Sequence, residues 1–350
     1  MKRKQNNLLG IFRFSIFLTV ILAGLTFWQL GWQGLWLFFV LLILEVTFSF
    51  DNAVVNSRTL ASMSLIWQRI FLTVGIFIAV FAVRFLLPIV IVIFASGLNF
   101  GEVVSMALNN PERYSHVLHN ASPMINAFGG IFLLMIGLSY FVDYNKQIHW
   151  VRSVEPWLAR AGKFENFRAC LILLVMVVLY FTVEEKHKAM ILISSILGTL
   201  LHIGLELFGS LFSSHSSKDI KLKTGWAAFA AFLYLEVLDA SFSFDGVIGA
   251  FAITSSVILI TSGLSAGAIW VRSLTIYLMR SGTLSKYRYL EHGAHWAIVA
   301  LGIMMLFKLF HVELPEWITG SLGLAFIILA IGSSVIEARH AKNTKNLQSS

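Results

Sequence analysis

Apolar residues in this chain come in long runs rather than in alternation with polar ones, and residues 169 to 181, ACLILLVMVVLYF, contain no charge. A helix needs about 20 apolar residues to cross the roughly 30 Å hydrocarbon core of a bilayer. The pattern predicts ten such spans, near 8–29, 34–57, 70–97, 122–142, 169–184, 189–212, 226–254, 258–280, 292–312 and 317–337. Composition agrees: 57% of the residues are hydrophobic and 13% are charged, with a mean hydropathy of +0.79. Soluble domains carry about 25% charged residues, so a soluble enzyme is excluded. The expected fold is an all-α polytopic membrane protein. The single cysteine, Cys170, rules out an internal disulfide framework or a cysteine-based metal cluster within one chain.

Charge fixes the expected orientation. Of the 26 Lys and Arg, 19 fall in segments on the side of the N-terminus. Arg113, Lys186 and Lys188 fall on the other side, and Arg13, Arg84, Arg272 and Lys308 lie within spans. This bias predicts that both termini are cytoplasmic, in a protein integral to the plasma membrane. The net charge of +8 therefore reports topology. Nucleic acid is not an expected partner, because no basic stripe is interleaved with exposed aromatics. The N-terminal basic start and apolar run resemble a signal peptide, but Arg13 interrupts the run, and the segment is read as an uncleaved anchor.

The chain repeats itself. The second predicted span contains Glu45-Val-Thr-Phe-Ser-Phe-Asp51-Asn52, and the seventh contains Asp239-Ala-Ser-Phe-Ser-Phe-Asp245-Gly246. FSFD recurs with an acid six positions before its aspartate, at an offset of 194 residues. The following span in each half carries one arginine, Arg84 and Arg272. Because the loop charges give the two copies opposite directions, the halves read as inverted three-helix repeats, an arrangement that places transporter sites at the shared interface. Five regions follow: 1–33, the basic segment and first span; 34–142, the first repeat; 143–225, a basic loop and two linking spans; 226–312, the second repeat; and 313–350, the last span and tail.

On an ideal helix Glu45, Ser49, Asn52 and Asn56 fall within about 60 degrees of one another, and Asp239 and Ser243 form the equivalent stripe, with Glu236 one turn earlier. Asp51 and Asp245 sit about 120 degrees from their partner acids, so each pair is expected to share a ligand only where the helix unwinds at Asn52 or Gly246. Five carboxylates in a bilayer would cost on the order of 12–18 kcal/mol unpaired. Arg84 and Arg272 neutralise two, which leaves acids to be protonated, hydrated or paired with a cation. Carboxylate, hydroxyl and amide oxygens suit hard divalent ions such as manganese, calcium or magnesium. Pro88 is expected to kink its helix and free the carbonyl of Arg84.

Other polar groups carry weaker signals. His202 and Glu206 have a chelating i, i+4 spacing but read more simply as a hydrogen-bonded pair. Glu112, His116 and His119 read as an outer solvated loop, residues 184–188 as a polar turn, and His292 and His295 as solvated interfacial residues. No hydrolase, zincin or nucleotide-binding motif is present.

The two acidic motifs resemble those of the integral-membrane TerC family, associated with tellurite resistance, within the LysE transporter superfamily. The residues that carry the resemblance are Glu45 to Asn52, Asp239 to Asp245, Phe251-Ala252-Ile253-Thr254 and the two arginines. Gly246 and the long basic loop at 143–168 depart from the pattern. The resemblance implies a metal-ion transporter that exports manganese or a similar divalent cation; the mechanism expected for it is replacement of the metal by protons as the inverted halves rock. It implies a cation site of Glu45, Ser49, Asp51, Asn52, Asp239, Ser243 and Asp245, supported by ion pairs of Arg84, Arg272 and Glu236. No permanent cofactor and no enzymatic activity are expected. Expected partners are the lipid bilayer, the transported cation, protons, and a second copy or stress-complex proteins. The competing reading is a non-transporting membrane scaffold of a stress-response complex.

Overall fold

The computed structural model describes residues 8–164, 166–212, 222–312 and 315–348. Lys2, Arg3, Lys4, Lys218 and Lys221, which enter the charge argument, lie outside these residues. The described chain is helical throughout: α1 Leu8–Phe48, α2 Phe50–Ala61, α3 Leu65–Phe77, a π-helical segment Ile78–Leu86, α4 Leu87–Ser96, α5 Phe100–Asn109, α6 Pro111–Asn120 and α7 Ser122–Phe141. Then follow α8 Glu155–Ala161, α9 Phe167–Thr182, α10 Lys188–Phe212, α11 Gly225–Ile253, α12 Val257–Ser281, α13 Thr283–Lys286, α14 Leu290–Lys308 and α15 Glu316–Gln348. Among the described residues eight helices are long and apolar enough to cross a membrane, and α9 is a shorter apolar helix. This is a multi-pass membrane protein.

The predicted first span and most of the second make up α1, and residues 50–57 of the second belong to α2; Gly31 divides α1 with a backbone of φ 62°, ψ −157° that a side chain would strain. Large aromatics crowd that bend: Trp28, Trp32 and Trp36 are all exposed, as expected of interfacial anchors. The first segment packs on α12, where Ser15 Oγ lies 2.7 Å from Ser273 Oγ and Trp270 Nε1 donates to Thr19 Oγ1 at 2.9 Å. The second segment packs on α12 through Gly263 and Gly267, where an added Cβ would stand 2.7 Å from Leu41 Cβ and 2.5 Å from Glu45 Cβ. Lipid offers no hydrophobic drive for helices to associate, so close backbone approach at small residues supplies the packing.

Three expectations change. The outer segment is not an open loop: α5 and α6 fold there, started by an Asn99–Glu102 capping box and by Asn110 before Pro111. They bury Val103, Met106, Tyr114 and Leu118 against α4. The basic loop after α7 is also structured. Its α8 carries Glu155, which is 1% exposed, onto α14, where the carboxylate lies 2.8 Å from His292 Nδ1 and accepts from Trp296 Nε1 at 2.9 Å and the Trp150 amide at 2.8 Å. His292 and His295 are accordingly buried rather than solvated, and His295 stacks on Tyr140 at 3.6 Å. A lone acid in a loop has no periodic partner that would reveal such an anchor from sequence.

Candidate functional site

The acids and arginines converge where α1, α2, the π segment, α11 and α12 meet. Glu45, near the end of α1, is 1% exposed; its Oε1 accepts from Ser49 Oγ at 3.1 Å and from Arg84 Nη2. Arg84 sits in the π segment, and its other nitrogen donates to the Ala79 carbonyl at 2.8 Å. The segment ahead of Pro88 is π-helical over Ile78–Leu86, and the carbonyl that the Arg84 side chain engages is that of Ala79. A π turn inside a helix often marks a functional position.

The second half repeats the arrangement. Arg272 on α12 forks onto Glu236, with Nη1 to Oε1 at 2.9 Å and Nη2 to Oε2 at 2.8 Å, and Nη2 also reaches Asp239 Oδ2 at 3.4 Å. Its Nη1 donates to the Phe71 carbonyl at 3.1 Å, and the guanidinium lies 4.2 Å from the Phe71 ring centroid. A helix of the first half thus completes the ion pair of the second. A bidentate fork holds both geometry and charge.

The two halves touch by an internal two-fold rule. Asn52 Nδ2 donates to Asp239 Oδ1 at 2.8 Å, and a Cβ on Gly246 would stand 3.3 Å from Glu45 Oε2. Moving by the offset of 194 residues turns Glu45 into Asp239 and Asn52 into Gly246, so each contact is the image of the other. Reciprocal contacts of this kind define an isologous interface, here within one chain.

The expected unwinding at Asn52 and Gly246 does not occur. The single distortion lies at Ser49, φ −101° and ψ 15°, and helical hydrogen bonds continue across it, Ser49 N to the Glu45 carbonyl at 3.0 Å and Ala53 N to the Ser49 carbonyl at 3.1 Å. α11 runs unbroken to Ile253. Glu45 and Asp51 therefore keep their angular separation, and the expectation that both meet one ligand through a broken helix is corrected. Glu45 and Asn52 face α11, whereas Asp51, 3% exposed, faces α15, where a Cβ on Gly323 would stand 3.4 Å from its carboxyl. The last span, read from sequence as an addition outside the repeats, supplies this wall. The side chain of Asp245 lies outside the described side chains.

Electrostatically the site is short of positive charge. Among the described side chains, the carboxyl groups of Glu45, Asp51, Glu236 and Asp239 stand against two guanidinium groups. Several buried side-chain oxygens have no hydrogen-bond partner: Asp51 Oδ1, Asn52 Oδ1, Asn56 Oδ1, Ser243 Oγ and Ser265 Oγ. Asn52 presents its amide nitrogen to the acceptor-only Asp239, which leaves its oxygen as the unpartnered atom. Buried oxygens normally find partners. Among the described residues, no three His, Cys, Asp or Glu side chains form a ready-made metal cluster.

The weaker candidates fall into structural roles. His202 Nε2 lies 3.0 Å from Ser139 Oγ, and Glu206 accepts from Ser139 at 3.2 Å and from Arg168 at 2.8 Å, which pins α7, α9 and α10 together. His116 lies 3.3 Å from Asn120 Nδ2 on its own helix. Sequence reasoning missed Gly263 and Gly267, whose small-xxx-small spacing is a legible close-packing signal, and missed Gly323, which carries none.

A family profile described as Protein of unknown function (DUF475) matches residues 50–341. No curated protein and no solved structure matches the chain. These findings overturn the resemblance to the TerC family and the LysE superfamily, neither of which matches, and the link to tellurite resistance goes with it. The match begins at Phe50, so Glu45 and Ser49, which opened the first motif, lie outside it. Short runs of acid, Ser and Asn on a helix follow from oxygen-donor chemistry and do not by themselves mark descent.

Proposed function

From the premise that the chain belongs to the DUF475 family, we propose that it is a membrane transporter of a hard divalent cation, of the manganese or calcium kind, exchanged for protons between the two inverted halves. The observation that carries this reading is the set of buried, unpartnered oxygens of Asp51, Asn52, Asn56 and Ser243, in a site with more carboxyl than guanidinium groups. Oxygen donors of this mixed kind select hard cations. Glu45, Ser49, Asn52, Asp239 and Ser243 supply oxygens along the interface between halves, and Asp51 supplies a further one beside α15; Asp245 joins the set from the sequence repeat alone. Arg84, Arg272 and Glu236 hold the acids in place. The basic loops and both termini are assigned to the cytoplasmic side of the plasma membrane by the positive-inside rule.

The test is cation flux into liposomes that contain the purified full chain, followed with a trapped manganese-sensitive dye. Wild type is expected to pass manganese, and Asp51→Asn and Asp239→Asn to slow it at least about tenfold, the effect of losing about 1.4 kcal/mol of cation binding. Equal flux in vesicles with and without the protein overturns the reading. A second reading, a scaffold whose acids serve only its arginines, is favoured by the closed Arg272–Glu236–Asp239 network. It predicts no flux and no change in thermal stability when manganese is added.

A further inference from the structure

The face that carries the basic loops holds a cavity of about 600 Å³ between the end of α2, the end of α7, the start of α14 and the loop after α7. Its volume lies within the range of small-molecule sites, roughly 300–1,000 Å³. Nothing in the proposed transport reading uses it. Three cationic side chains line it, Arg58, Lys146 and Arg288, with Thr59, Asn145 and Gln147 between them.

Lys146 is the distinctive group. Its ammonium lies 3.0 Å from the centroid of the Tyr140 ring and 4.9 Å from that of Phe141, and donates to the Tyr140 carbonyl at 3.2 Å. Tyr140 is in turn stacked on His295. Burial pushes the ammonium down to about 8, although Glu155 and Glu291 pull the other way. The charge is therefore desolvated more than it is compensated, and an incoming anion would reverse that balance.

The acids facing this cavity are Glu291 and Asp143. Glu291 is engaged by Arg58, and Asp143 accepts from the Asn145 amide at 3.0 Å. Arg288 pairs with Glu337 at 3.1 Å. The Arg58 and Arg288 side chains are 58% and 53% exposed. Pairs that exposed are held weakly, and the anionic oxygens of a phosphate, free or in a lipid headgroup, offer guanidinium a competing bidentate partner.

We propose that this cavity binds a phosphate-bearing anion, with Lys146 on its wall and Arg58 and Arg288 at its rim. The phosphate belongs either to a soluble compound or to the headgroup of an anionic lipid, since the cavity opens at the ends of membrane-spanning helices.

Calorimetric titration of the purified full chain with inorganic pyrophosphate, at about 0.15 M salt to screen loose surface attraction, tests the soluble source. Native mass spectrometry of the chain delivered from vesicles of phosphatidylglycerol or of phosphatidylcholine tests the lipid source. Pyrophosphate binding, or retention of phosphatidylglycerol over phosphatidylcholine, is expected to fall about tenfold in Lys146→Gln and to stay within about threefold in Lys146→Arg, as loss and retention of one charge-assisted contact imply. Arg288→Gln, on a half-exposed side chain that leaves the packing intact, is expected to weaken the same binding about fivefold. The proposal is overturned if neither ligand is retained by wild type, or if both Lys146→Gln and Arg288→Gln bind as wild type does.

Discussion

Asn52 and Asp239, 187 residues apart in sequence, are joined by a 2.8 Å hydrogen bond that stitches α2 to α11. Its counterpart in the sequence repeat, Gly246 against Glu45, has no side-chain amide to donate. The two contacts join equivalent positions of the sequence repeat, and only one of them is a hydrogen bond.

Removing that bond leaves a buried carboxylate oxygen without its donor. Asn52→Ala is expected to destabilise the fold by about 1–3 kcal/mol, the range for stranding a buried polar group. Thermal unfolding in detergent, followed by intrinsic tryptophan fluorescence, reads the loss; an unchanged midpoint counts against the bond.

Arg84 and Glu45 are both buried, so their pairing has different single and double costs. Arg84→Met alone is expected to cost about 3–5 kcal/mol by abandoning a buried carboxylate, while Arg84→Met with Glu45→Met recovers most of it. A double-mutant cycle decides: additive losses would mean that the two residues act separately.

Gly267→Ala should be worse than Gly246→Ala. A methyl at 267 would stand 2.5 Å from Glu45 Cβ, but at 246 it meets a carboxylate oxygen at 3.3 Å. We expect the first to cost about 1–3 kcal/mol through overpacking and the second well under half of that. Equal unfolding midpoints for the two variants would refute the close packing of α1 on α12.

Glu155 ties the basic loop to α14. Burial raises its carboxyl, but hydrogen bonds from His292, Trp296 and the Trp150 amide outweigh burial and hold it below the usual carboxylate range. A depressed acid stabilises the fold above its unfolded value, and that stability is lost as pH falls through the folded value. Glu155→Gln should therefore loosen the loop at neutral pH and flatten the acid limb of the stability curve. Limited proteolysis between residues 143 and 166, run from pH 7 down to pH 3, measures both effects.

Lys146 is also held below its ordinary value, but its shift works against the fold at neutral pH rather than for it. Its folded value of about 8 lies below the ordinary 10.5, so between these values the unfolded chain holds a proton that the folded chain has released, and stability climbs with pH. Below about 8 the folded chain carries the desolvated charge in full. Lys146→Met should unfold at a higher temperature than wild type at pH 7, with the gap closing by about pH 10.5. A gap that widens with pH sinks this account.

Much of this structure was legible in the sequence because bilayer physics constrains it. Apolar runs marked most of the helices long enough to span; Arg84 does pair with Glu45, whereas Arg272 forks onto Glu236 and reaches Asp239, the acid displaced from the second FSFD, at 3.4 Å. What stayed hidden depends on three-dimensional placement. The angular argument that separates Glu45 from Asp51 held, but the unwinding expected to reunite them did not, because Asn52 and Gly246 tolerate a break without requiring one. Asp51 found its own neighbour in Gly323, on a helix that no repeat predicts. His292 and His295 read as solvated because their partners, Glu155 and Tyr140, come from a distant loop and span.

α2 is a rigid rod set between the Ser49 distortion and the turn at Ser62. Near one end it is fastened by Asn52 to buried Asp239, and near the other by the half-exposed Arg58 to Glu291. Six residues, about 9 Å of helix, separate the two fastenings. The two fastenings differ in their access to water, so added salt weakens the Arg58 end of α2 and leaves the buried Asn52 end as it was.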